Sequence, residues 1–84
     1  MKKSEISKQM AEEISKRFEL PQDKITPNLN FIKDLDADSI DFVELIMEIE
    51  DKYNIEIPDE DANKLDTFQS AVNYIYNQIT QKTN

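Results

Sequence analysis

The chain has no cysteine, no histidine and no glycine, and each absence removes a class of function. Without Cys there is no disulfide to stiffen an 84-residue domain, a size at which a core alone is marginal. There is also no thiolate nucleophile, no CxxC redox pair and no sulfur-ligated metal. Without His the usual general base and the commonest metal ligand are missing. Without Gly no phosphate-cradling loop of the GxGxxG or GxxxxGK type forms, because each needs backbone that approaches its ligand without a Cβ. Basic residues are scarce: 10 Lys and Arg stand against 18 Asp and Glu, a net charge of −8. That balance argues against nucleic acid and anionic lipid, which bind through Lys and Arg. Lys2 and Lys3 are followed by alternating charge rather than the apolar run of a signal peptide, and no later stretch approaches the ~18 apolar residues of a membrane span. These absences predict a soluble, cytoplasmic protein that is not an enzyme in its own right.

The residues present predict an all-α chain. Ile6, Met10, Ile14 and Phe18, with Ala11, mark one face of a helix from about Ser4, a suitable N-cap, to Glu19 before Pro21. Residues 21 to 37 have no sustained period, yet Ile25, Leu29, Phe31, Ile32 and Leu35 punctuate them, which predicts a long loop pinned onto the core. A second helix starts at Asp38 or Ser39 and ends near Tyr53 and Asn54, the latter suited to a left-handed turn past the C-terminus. Phe42, Leu45, Ile46, Ile49 and Tyr53 form its inward face, Asp41, Glu44, Glu48 and Asp51 lie opposite, and Ile40 and Met47 fall on the border. Pro58, followed by Asp59, Glu60 and Asp61, opens a short third helix ending near Leu65. Asp66 and Gln69 read as the capping pair of a fourth helix, with Phe68, Ala71, Val72, Ile75, Tyr76 and Ile79 as its buried stripe. The expected architecture is a four-helix bundle with three longer helices, a short third one and a long loop between the first two, in a single domain over residues 1–84.

One segment stands out chemically. Residues 34 to 51 hold eight of the acidic residues and no Lys or Arg, although like charges three or four apart on a helix cost roughly 0.2–0.5 kcal/mol per pair. Taken alone, Asp38-Ser39-Ile40-Asp41 is an ordinary capping pattern. With the aspartates ahead of the serine, the acidic stripe behind it, the pinned loop before it and Ile55-Glu56-Ile57-Pro58-Asp59-Glu60 beyond, the stretch from Phe31 to Ile75 resembles the acyl carrier proteins. Asp38-Ser39-Ile40-Asp41 corresponds to the family's Asp-Ser-Leu-Asp attachment motif, and Val43-Glu44-Leu45-Ile46-Met47 continues it.

The resemblance implies that Ser39 is esterified to 4′-phosphopantetheine by a holo-carrier synthase, a phosphopantetheinyl transferase, and that the arm carries fatty acyl thioesters. It makes Asp38, Ile40, Asp41, Val43, Glu44, Met47, Glu48, Glu50 and Asp51 the surface docked by basic patches on fatty acid synthesis enzymes. It makes Phe31, Ile32, Leu45, Ile46, Ile49, Ile57, Ala62, Leu65, Ala71 and Ile75 an acyl-sequestering pocket in a monomer. Two residues depart from the family pattern. Asp36 stands where Gly is common, which bears on the loop, and Phe42 replaces a small residue, which narrows the pocket. A polyketide or other specialised carrier remains open, as does an unmodified interaction module. A calcium-binding module is the remaining reading: Asp34, Asp36 and Asp38 occupy the first, third and fifth places of an EF-hand loop, although Ser39, Asp41 and Leu45 break that pattern further on.

Overall fold

A computed structural model describes residues 2–31, 33–35 and 39–82, with the side chains of Ser39 and Lys82 outside the description. Four α-helices follow in order: α1, Lys3–Phe18; α2, Ser39–Tyr53; α3, Asp59–Ala62; and α4, Phe68–Lys82. A 3₁₀ turn at Gln22–Lys24, not foreseen from sequence, follows α1. Among the described residues the only extended pairing is the isolated antiparallel bridge between Asn30 and Thr67.

Helix α1 buries Ile6, Met10 and Ile14, the four-residue stripe expected of it. Its start lies earlier than Ser4. The Lys2 carbonyl accepts from the N–H groups of Glu5 and Ile6 at 3.1 and 3.2 Å, and the Glu5 carboxylate reaches back to the Lys2 N–H at 3.4 Å. An acid three residues on therefore moves the cap to Lys2, and Ser4 is already inside the first turn. At the other end Glu19 adopts the left-handed conformation, φ 53°, while the Leu20 N–H returns to the Ser15 carbonyl.

Helix α2 begins and ends as the sequence predicts. Leu45, Ile46 and Ile49 are buried, and Phe42 and Tyr53 pack partly against the core. Asn54 takes the left-handed turn at φ 54°, and the Ile55 N–H closes onto the Glu50 carbonyl at 3.1 Å. For α3, Pro58 is the N-cap rather than the first helical residue: its ψ of 152° keeps it extended while its carbonyl accepts from Asp61 and Ala62. The helix ends at Ala62, and i→i+3 bonds from Lys64 and Leu65 tighten the last turn.

Of the loop hydrophobes, Leu29, Phe31 and Leu35 are buried and Ile25 packs partly against the core, while Ile32 lies outside the described residues; the anchor of this described part is the start of α4. Phe31 N–H donates to the Asp66 carbonyl at 2.9 Å, Phe68 N–H to the Leu29 carbonyl at 2.8 Å, and Gln69 N–H to the Pro27 carbonyl at 3.0 Å. Loop carbonyls thus satisfy first-turn donors of α4 that otherwise lack partners. The side-chain cap is Thr67 rather than Asp66, since Thr67 Oγ1 accepts from Ser70 N–H at 3.2 Å. Thr67 is extended because it bridges to Asn30, and an N-cap requires that backbone. Phe68, Ala71, Val72 and Ile75 are buried along α4. They join Ile6, Met10, Ile14, Leu29, Phe31, Leu35, Ile55, Ile57 and Leu65 in one core cluster, each large side chain contributing roughly 1.5–3 kcal/mol by burial.

Candidate functional site

Helix α2 presents the predicted site. Ser39 is its first residue, where the first-turn N–H groups have no intrahelical carbonyl and the helix dipole favours an anion. Asp41 lies in that same turn. Asp36 and Asp38 lie outside the described residues. Asp34 is committed to the loop, its carboxylate accepting from the Asn30 N–H at 2.8 Å.

Below Ser39 runs an exposed apolar stripe: Ile40, Val43 and Met47 are 65%, 54% and 57% exposed. Three large side chains left in solvent at i, i+3 and i+7 are a surface that something else covers, since apolar residues on one helical stripe are normally spent on the core. Glu44 and Asp51 are exposed beside the stripe, and Asp41, Glu48 and Glu50 are half-buried. The acids are less alike than their spacing suggests. Arg17, from the end of α1, pairs with Glu44 at 3.2 Å and also with Glu48. Glu50 uses one oxygen to accept the Ile57 N–H at 2.9 Å, which ties α2 to the segment entering α3.

A cleft of about 380 Å³ opens between α2 and α3, lined on the α2 side by Phe42, Val43, Ile46, Met47 and Glu50 and on the other by Ile57, Asp59, Ala62 and Asn63. Of the predicted acyl-pocket residues, Ile46, Ile57 and Ala62 line this cleft. Phe31, Leu45, Ile49, Leu65, Ala71 and Ile75 are buried in the core, and Ile32 lies outside the described residues. Phe42 stands between core and cleft, its ring 6.3 Å from that of Phe31 and tilted by 44°. Two tyrosines brace the surroundings. Tyr53 donates to Gln9 Oε1 at 2.8 Å, and burial, then the Glu13 charge, raises its pKa. Tyr74 donates to Asp61 Oδ2 at 2.8 Å. Burial and then that hydrogen bond push its pKa up to about 12.

Sequence reasoning missed Arg17, Asp59 and Asn63. Arg17 is the chain's only arginine, set at the border of the α1 apolar stripe, which was the available signal. Asp59 and Asn63 join the site only through the way α3 lies against α2.

A serine at a helix start, an exposed apolar and acidic stripe and an adjoining cleft thus lie together on and beside α2. Comparison with known proteins shows the family. The family model described as the phosphopantetheine attachment site matches residues 8–75. The acyl carrier protein of Lactobacillus johnsonii is 57% identical over 75 residues, 89% of this chain and 94% of that protein. That of Lactobacillus acidophilus is 48% identical over the same shares. The solved structure of the Enterococcus faecalis acyl carrier protein superposes with a TM-score of 0.83 at 41% identity, covering 93% of this chain and 99% of that one.

The chain belongs to the phosphopantetheine-attachment family, among the acyl carrier proteins. It is accordingly a carrier of acyl groups and not an enzyme, and its prosthetic group is covalent 4′-phosphopantetheine. The residues present suit that group: the start of α2 would receive its phosphodiester, and the cleft, with both apolar and polar walls, would take an amide-containing arm.

Proposed function

We propose that Ser39 is the attachment residue and that the protein, as one domain over residues 1–84, carries fatty acyl intermediates between fatty acid synthesis enzymes in the cytoplasm as a monomer. The observation that carries this reading is the position of Ser39 as the first residue of α2, one residue before the exposed stripe Ile40, Val43 and Met47. The bound group supplies a thiol for thioester chemistry, which a Cys-free chain lacks. The protein's own residues bind, orient and present. First-turn N–H groups of α2 receive the phosphodiester. Asn63, Asp59 and Glu50 offer hydrogen-bonding groups along the cleft, and Phe42, Ile46, Ile57 and Ala62 offer apolar wall.

Docking falls on Ile40, Val43 and Met47, edged by Asp41, Glu44, Glu48, Glu50 and Asp51, with Asp38 joined to them from the sequence motif alone, against basic surfaces on the transferase and the synthesis enzymes. Charged rims of this kind raise association rates more than they slow release, which suits a shuttle. The core positions Phe31, Leu45, Ile49, Leu65, Ala71 and Ile75, together with Ile32 on the strength of the family resemblance alone, shelter the acyl chain when the bundle opens from the cleft, and Phe42 shortens that space. Incubation with coenzyme A and a phosphopantetheinyl transferase is expected to add one phosphopantetheine by intact mass, and Ser39→Ala none. An unmodified wild-type chain, with a transferase active on another carrier, would overturn the assignment.

A further inference from the structure

We propose that Arg17 is an intramolecular occupant of the α2 docking face, masking Glu44 and Glu48 and so selecting among basic partners. The inference rests on the carrier reading above. Arg17 Nη1 donates to Glu44 Oε2 at 3.2 Å and Nη2 donates to Glu48 Oε1, so the guanidinium spans two carboxylates one helical turn apart instead of gripping either as a fork. The cation is more sheltered than the anions: the Arg17 side chain is 19% exposed, against 56% for Glu44 and 43% for Glu48, so Glu44 is the acid of the two more open to solvent. A partner's Lys or Arg can therefore reach Glu44 from solvent while Arg17 holds it from behind.

The clamp is also incomplete. Arg17 Nε and Glu48 Oε2 are buried with no hydrogen-bond partner among the described residues, so the pair lacks the second, parallel hydrogen bond that makes bidentate Arg–carboxylate contacts strong. An incoming cation that takes Glu44 leaves Arg17 on Glu48. It thus competes with a contact that is displaceable but present before every encounter. Partners reading the apolar stripe and the first turns of α2 dock without that competition. Partners that need the Glu44 and Glu48 carboxylates meet two acids already shared with one base.

The test compares wild type, Arg17→Gln and Arg17→Lys as full chains, with folding checked by circular dichroism. One readout is phosphopantetheine transfer; the other is binding of a fluorescent, basic amphipathic helical peptide, which reports on the face whether or not Ser39 is modified. Arg17→Gln is expected to raise transferase kcat/KM about threefold at low salt through KM with kcat unchanged, to bind the peptide about threefold more tightly, and to lose both gains at high salt. Arg17→Lys should fall between, because an ammonium is a point charge that does not bridge both acids, and it carries the test if Arg17→Gln does not fold. Normal modification of wild type with no gain in either readout for a folded variant overturns the masking alone, as does a gain that persists at high salt. No modification of wild type, together with tighter peptide binding by Arg17→Gln, would instead sink the carrier reading and leave the masking standing.

Discussion

Glu19 and Asn54 close α1 and α2 in the left-handed conformation, at φ 53° and 54°, and in a chain without glycine neither position holds the residue best suited to it. Asn tolerates that region, whereas an ordinary side chain there costs about 1–2 kcal/mol. Glu19 is exposed, so removing its side chain opens no cavity. Glu19→Gly is expected to stabilise the fold by about 1 kcal/mol net of the added unfolded-state freedom, raising Tm by about 4–8 °C for a domain of this size. A melting curve that is unchanged or shifted down would show that the left-handed residue is not strained. At this scale Asn54 was legible in the sequence because Asn is the common substitute for Gly at a helix end. Glu19 was not, since nothing in its chemistry marks a left-handed residue; the clash of Pro21 with a continuing helix fixes where α1 must stop, but not by which backbone turn.

Among elements, the long helices were readable from their apolar spacing and their caps were not. Ile6, Met10 and Ile14, or Leu45, Ile46 and Ile49, announce a buried face wherever the helix begins. A cap depends on backbone set by distant contacts, as Thr67 is set by Asn30, and so Asp66 was the better guess from local chemistry alone. Ser39, the proposed attachment residue, is singled out by local signals, a helix start and the acids around it, whereas Arg17 sits 27 residues before Glu44 and reaches the α2 acids only through the tertiary fold. The α2–α3 cleft is likewise a product of placement. Helix α3, a single turn at Asp59–Ala62, buries none of its residues fully and is tied to α4 by the Tyr74 to Asp61 hydrogen bond. That latch has a pH signature. The Tyr74 pKa is raised from 10.0 to about 12, burial first and the bond to Asp61 second, so its contribution is complete below the unfolded value and is lost as pH climbs from about 10 toward 12. Tyr74→Phe is expected to flatten the fall of Tm across that window relative to wild type, as measured by thermal melts from pH 9 to 12. An equally steep fall in the variant would assign alkaline unfolding to other groups.

For the whole molecule, net charge opposes compaction: 18 acids and 10 bases occupy a body with a radius of gyration of 12.0 Å, comparable to the screening length of about 10 Å at 0.1 M salt. Added NaCl should raise Tm modestly, and millimolar Mg²⁺ or Ca²⁺ should raise it further and by similar amounts, through screening and weak site binding. Micromolar Ca²⁺ binding that excludes Mg²⁺, seen by calorimetry on the unmodified protein, would contradict this and point to an oxygen cage selective for the larger ion. The loop that leads toward Ser39 is fastened to the first turn of α4 through Pro27, Leu29 and Phe31, and that turn is made some 30 residues later in the chain than Ser39. During synthesis the serine therefore emerges well before its approach loop has anything to fasten to. With Ser39 as the proposed attachment residue, a chain ending before Phe68 lacks the α4 partners of these loop bonds and is expected to take up phosphopantetheine more slowly than the full chain when both are incubated with a transferase and coenzyme A; equal rates would show that the fastening does not matter to priming.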